Sequence, residues 1–272
     1  MHDILAPARQ FSQWKSSVEY AARLAAAIDG SLTAIYSAVT PTDVIDAAPA
    51  PLAQEIMEIC RDEAAAALGA GSAFAKWAHG YGVKSCTWHV ADVAEETAVA
   101  AAAKWHDLVV LERPDAPSAS HVGEIGRILL GADVPCIIVS PGMVVPAFDS
   151  IAIAWNGTVE SARALHAALP LLERAGRILL IHGEGGTEWS APGFSADAAA
   201  SYLRGHRLNI ERCRIDPDPA VAGREILASA ARHDARLLVM GAYGRTRLSE
   251  WMLGGATRHA LQHAEIPLFM RH

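Results

Sequence analysis

The sequence predicts an α/β protein made of two similar halves. Short apolar strands alternate with Ala-rich helical stretches along the chain, the pattern of parallel sheets covered by helices on both faces. The halves also close alike. Asp107-Leu108-Val109-Val110-Leu111 parallels Arg236-Leu237-Leu238-Val239-Met240, and the later segment Ala132-Asp133-Val134-Pro135 parallels Ala264-Glu265-Ile266-Pro267. With 272 residues, 51% of them hydrophobic, the chain has room for two cores of about 135–140 residues each.

Taken in order, the first half opens with a strand at 4–6, followed by an Ala-rich helical run and a strand at 31–36. A helical run over 51–78, a strand at 86–90, a helix over 92–105 and a strand at 107–111 come next. A further helix leads to a short apolar strand after Pro135. The breakers Ser140-Pro141-Gly142-Met143-Val144-Val145-Pro146 then read as a linker. The expected domains are therefore 1–143 and 147–272.

The second half repeats the plan. A strand at 151–154 precedes Thr158, a candidate N-cap for a helix through Leu172. Strands at 177–181, 210–214, 236–240 and 266–270 alternate with helices at 196–204 and 222–233 and one ending at His263. That makes five strands per half.

No run reaches the roughly 20 apolar residues of a membrane span, and Met1-His2-Asp3 leads into a strand instead of a leader. A cytoplasmic protein is expected. Cys60, Cys86, Cys136 and Cys213 are scattered without metal or disulfide spacing and read as reduced thiols. The net charge of −7 argues against nucleic-acid binding. It is uneven, with 9 basic against 17 acidic residues through Met143 and 14 against 13 beyond it. Every one of those 14 is arginine, which suits anion recognition in the second half.

The strongest motif follows the strand at 236–240, where Gly241-Ala242-Tyr243-Gly244 is followed, nine residues on, by Gly254-Gly255-Ala256-Thr257 at the head of a helical pattern. Glycines let an anion approach the backbone closely, and a helix start offers free N–H groups and the positive end of a dipole. Thr257 adds a hydroxyl, and Arg245 and Arg247 lie between the glycine pairs. In an open parallel sheet the ligand crevice lies at the carboxyl ends of the strands.

This stretch resembles the universal stress protein family. The family's signature is Gly, two residues, Gly, nine residues, Gly, then Gly, Ser or Thr; Gly241, Gly244, Gly254 and Gly255 fit it without a gap. The resemblance implies two tandem Rossmann-like domains of the adenine-nucleotide alpha-hydrolase-like type, each with strand order 3-2-1-4-5. It implies ATP, with magnesium, held with its phosphates on the glycine loop. The end of the first strand of this half, Ala154-Trp155-Asn156, would then border the nucleoside, together with His182 and Met240. The family commonly has Asp at the position of Asn156, and Ser or Thr at that of Gly255. From the residues alone, Asn156 also reads as a turn residue before Gly157, and Trp155 as core.

The corresponding loop of the first half is Leu111-Glu112-Arg113-Pro114-Asp115-Ala116-Pro117. Glu112 stands where Gly241 does, the prolines remove donors, and Arg9 stands where the family often has Asp. This half is expected to have lost nucleotide binding and to pack with the other as an intramolecular pseudo-dimer.

Other constellations are weaker. His259 and His263 share a helix face without an evident third ligand. Ser249 and Glu250 have no evident catalytic partner, and no nucleophile elbow, Walker loop or dinucleotide fingerprint is present. No catalytic residue is therefore assigned. The expected function is ATP-binding regulation of a stress response. The alternatives are a slow ATPase or phosphotransferase, with Arg245 or Arg247 stabilising the transferred phosphoryl group, and a nucleotide-free scaffold acting through sheet edges; a homodimer is a further partner arrangement that the sequence leaves open.

Overall fold

The computed structural model describes residues 1–144, 148–183, 195–216, 218, 220–242 and 255–272. The chain forms two compact units, Met1–Val110 and Leu111–His272, so the last helix and strand of the first sequence repeat belong to the second unit.

In the first unit, β1 (Asp3–Ala8), β2 (Ser31–Ser37), β3 (Ser85–Ala91) and the start of β4 (Leu108–Glu112) form a parallel sheet in the order β3-β2-β1-β4. Its register runs from Asp3↔Ser31 to Ala8↔Tyr36 and includes Ile4↔Leu108. α1 (Ser17–Ile28) and α5 (Glu95–Ala103) pack on it, and α2 (Thr42–Ala47), α3 (Ala50–Gly69) and α4 (Gly71–Gly80) link β2 to β3. The run expected as one helix over 51–78 is thus two helices meeting at Ala70. Glycines on both sides of Ala70 weaken helix propagation there.

The second unit contains α6 (Ala119–Ala132), β5 (Cys136–Val139), β6 (Ser150–Trp155), α7 (Val159–Leu172), β7 (Arg177–Gly183) and α8 (Ala196–Gly205). It continues with β8 (Ile210–Ile215), α9 (Ala222–Arg232), β9 (Leu237–Gly241), α10 (Gly255–His263) and β10 (Leu268–Arg271). The strands lie in the order β5-β10-β9-β6-β7-β8. Counted from β6, this is the order 3-2-1-4-5 with all neighbours parallel. β5 pairs antiparallel with β10, with Phe269 opposite Ile137. The first repeat's last strand therefore joins the second repeat's last strand directly.

Burial explains the strand assignments. Leu237, Leu238, Val239, Phe269 and Ile151 are fully buried, as a sheet covered on both faces requires. α7 starts at the expected cap: the Ser161 amide donates to Thr158 Oγ1 (3.3 Å) and the Thr158 amide to Ser161 Oγ (3.1 Å).

Candidate functional site

β6 lies between β7 and β9, and here the winding of the sheet reverses. Ala154 pairs with Met240 on one side, and Trp155 with His182 on the other. The carboxyl ends of β6, β7 and β9 therefore converge on one crevice, bringing together Trp155, Asn156, His182, Met240 and Gly241. Because β9 and β10 run parallel, the connecting α10 has to begin at this same edge of the sheet.

Asn156 is exposed, and its role is fixed by two hydrogen bonds. Its Oδ1 accepts from the Thr158 amide (3.2 Å) and the Thr158 hydroxyl (2.9 Å), an Asx turn that feeds the chain through Gly157 (φ 72°) into α7. The turn reading of this residue is correct, and it leaves the Nδ2 hydrogens as the groups Asn156 can offer to a ligand. Trp155 and Met240 are buried, as is Ala154. They form the base of the crevice.

His182 is half-buried and held on both ring nitrogens. Arg212 Nη2 lies 3.3 Å from Nε2, and Nδ1 lies 3.1 Å from the Gly183 carbonyl. A guanidinium only donates, so Nε2 accepts and Nδ1 carries the proton. Asp197 anchors Arg212 from the other side.

Gly241 is required for space. A Cβ there would lie 2.6 Å from the carbonyl carbon of Glu160 and 2.6 Å from the amide nitrogen of Ser161. The end of β9 thus presses directly on the first turn of α7. A similar approach sets α10: a Cβ on Gly223 of α9 would lie 2.7 Å from His259 Cβ and 3.1 Å from Ala256 Cα. At the head of α10, Gly255 is exposed, Ala256 is half-buried and Thr257 is buried. Gly244, Arg245, Arg247 and Gly254, with Ser249 and Glu250, lie outside the described residues. Further along α10 the rings of His259 and His263 stack at 4.2 Å. Burial, His263 and Arg224 hold the His259 imidazolium pKa below its ordinary value.

In the first unit an aromatic cluster packs on the β2–β3 side of the sheet. Phe11 and Trp14 lie in the connection between β1 and α1. The Phe11 ring meets Tyr36 at the end of β2 (5.3 Å), and Trp14 meets Phe74 (5.4 Å), Trp77 (5.6 Å) and Trp88 (5.9 Å). Tyr36 donates to Glu63 of α3, and its hydroxyl pKa is pushed up to about 12 by burial and by that carboxylate. This cluster escaped the sequence reading. The only signal was a run of aromatics in the connection after the first strand, and their partners are distant in sequence.

Residues 147–271 match the family model described as the universal stress protein family. Over that stretch the chain is similar to universal stress proteins. Two solved structures share the fold over nearly the whole chain. A universal stress protein from Archaeoglobus fulgidus DSM 4304 superposes with a TM-score of 0.70 at 16% identity, covering 99% of this chain and 95% of that one. A candidate universal stress protein from Pseudomonas aeruginosa UCBPP-PA14 superposes at 0.59 with 18% identity, covering 99% and 92%. No curated protein matches the chain. Among the described residues no helix is long and apolar enough to cross a membrane, and all four cysteines are free.

Proposed function

We propose that this chain is an ATP-binding regulatory protein of a stress response with one nucleotide site, carried by its universal stress protein domain. The observation that supports it most is the register at β6, which gathers Asn156, His182 and Gly241 at the one place where an open parallel sheet receives a ligand. The Asx turn points the free amide hydrogens of Asn156 outward as donors to the nucleoside, while Trp155 and Met240 supply an apolar base. The phosphates, with magnesium bound to them, lie on the glycine loop from Gly241 to Gly255 and on the amides at the start of α10.

The first half is a structural partner without a nucleotide. Phe11, Trp14 and Tyr36 are committed to an aromatic cluster with β3 and α4, and Glu112 stands where Gly241 admits phosphate. The antiparallel pairing of β5 with β10 supports an intramolecular pseudo-dimer of the repeats. Mass spectrometry of ligand carried through a gentle purification tests the reading. ATP should accompany the wild-type chain and be absent from Gly244→Glu, whose carboxylate repels phosphate; a wild-type chain that carries no nucleotide and takes up none when ATP is added would refute it.

A further inference from the structure

A second polar cleft lies at the opposite edge of the second unit's sheet, where β6, β9 and β10 begin and antiparallel β5 ends. Its volume is about 1010 Å³. Two of its lining side chains are deeply buried and polar: Arg113, 3% exposed, and Ser140, 6% exposed. They are neighbours, because the Arg113 amide donates to the Val139 carbonyl at 2.8 Å. The Ser140 hydroxyl has no hydrogen-bond partner among the described residues. Arg113 donates to the carbonyls of Ala264 and Pro114 but makes no ion pair among the described residues.

A buried guanidinium that feels the exposed Asp115 carboxylate without forming an ion pair with it, and a buried hydroxyl without a partner among the described residues, are each costly. The carbonyl at the end of α10 offsets part of the charge, yet Arg113 still has N–H groups to spare. Burial lowers the Arg113 pKa from its ordinary value, with the Asp115 carboxylate acting in the opposite sense. The acids Asp115, Asp149 and Glu265 line the same cleft but are exposed, so they form a solvated rim that repels polyanions while the floor stays cationic. Met143, Val144 and Ile266 add apolar wall.

We propose that this cleft binds a small organic monocarboxylate, its carboxylate held by Arg113 and the Ser140 hydroxyl and its apolar body resting on Met143, Val144 and Ile266. The site is distinct from the nucleotide crevice and lies across the sheet from it. Titrating the ¹⁵N-labelled full chain with sodium benzoate should give saturable shifts at the Arg113, Ser140 and Gly142 amides. Removing one hydrogen bond to a charged group with Ser140→Ala should weaken binding about tenfold. Arg113→Met, which keeps the apolar stem, should abolish it. If Arg113→Met does not fold, Ser140→Ala decides alone. The proposal is overturned if no saturable shift occurs, if Ser140→Ala binds benzoate as tightly as the wild type, or if inorganic phosphate binds these amides more tightly than benzoate.

Discussion

Replacing Gly241 with alanine adds one carbon where β9 meets α7, and the geometry fixes its cost. The new Cβ would stand 2.6 Å from Glu160 C and Ser161 N and 3.0 Å from Glu160 Cβ. Carbon atoms in good contact are about 3.5–4.0 Å apart, so the gap is short by roughly 1 Å. The obstacle is helix backbone, which cannot turn aside as a side chain can. Either α7 or the end of β9 has to move. α7 buries Ala164, Leu165, Ala168, Leu171 and Leu172, and a radial gap of about 0.5–1 Å forfeits a quarter to a half of each contact's attraction. The expected loss is about 2–3 kcal/mol, the upper part of the range for overpacked sites. In a unit of this size that lowers the melting temperature by roughly 5–10 °C, read as loss of far-ultraviolet circular dichroism on heating. Gly205→Ala is the matched control, since a Cβ there meets nothing within 4 Å; it should be neutral or stabilising by about 0.4–1 kcal/mol. Gly241→Ala melting together with the wild type would refute the packing argument.

Asn156→Ala removes the Oδ1 that accepts both hydrogen bonds of the Asx turn and should destabilise α7 by about 1 kcal/mol, whereas Asn156→Asp keeps the acceptor and most of the stability; urea midpoints of the two variants distinguish them. Trp14→Ala empties the centre of the first unit's aromatic cluster and should cost about 3–5 kcal/mol, with the tryptophan emission of the folded chain altered as Trp77 and Trp88 lose their neighbour. For His259, a folded-state pKa below the ordinary 6.5 means that folding favours the neutral ring. Its contribution is complete above pH 6.5 and declines as the pH falls from there through the lowered folded value, so His259→Asn should flatten the stability profile over that window in equilibrium unfolding.

Much of the fold was legible because its signals are local. The run Leu237-Leu238-Val239-Met240 reads as a buried strand, and Thr158 reads as the cap of the helix through Leu172. The echo between the halves likewise announced two sets of five strands, and the resemblance of the glycine loop supplied the order around β6. What stayed hidden depends on chain segments meeting in space. Gly241 was conspicuous as a glycine, but nothing local could reveal that the backbone of α7 occupies the position of its missing Cβ. Trp14, Phe74 and Trp88 lie far apart in the chain, so their convergence over the first sheet has no pattern in sequence. Arg113 read as one more departure from the motif. Only the pairing of β5 with β10, which brings the end of α10 to the same place, shows it reaching the Ala264 carbonyl.

The central claim is one adenine-nucleotide site per chain. Isothermal titration calorimetry of the nucleotide-stripped protein with magnesium ATP measures it directly. A stoichiometry of one ATP per chain, unchanged by Trp14→Ala and lost in Gly244→Glu, is the expected result. Two sites per chain, or binding that survives Gly244→Glu at full affinity, would contradict it.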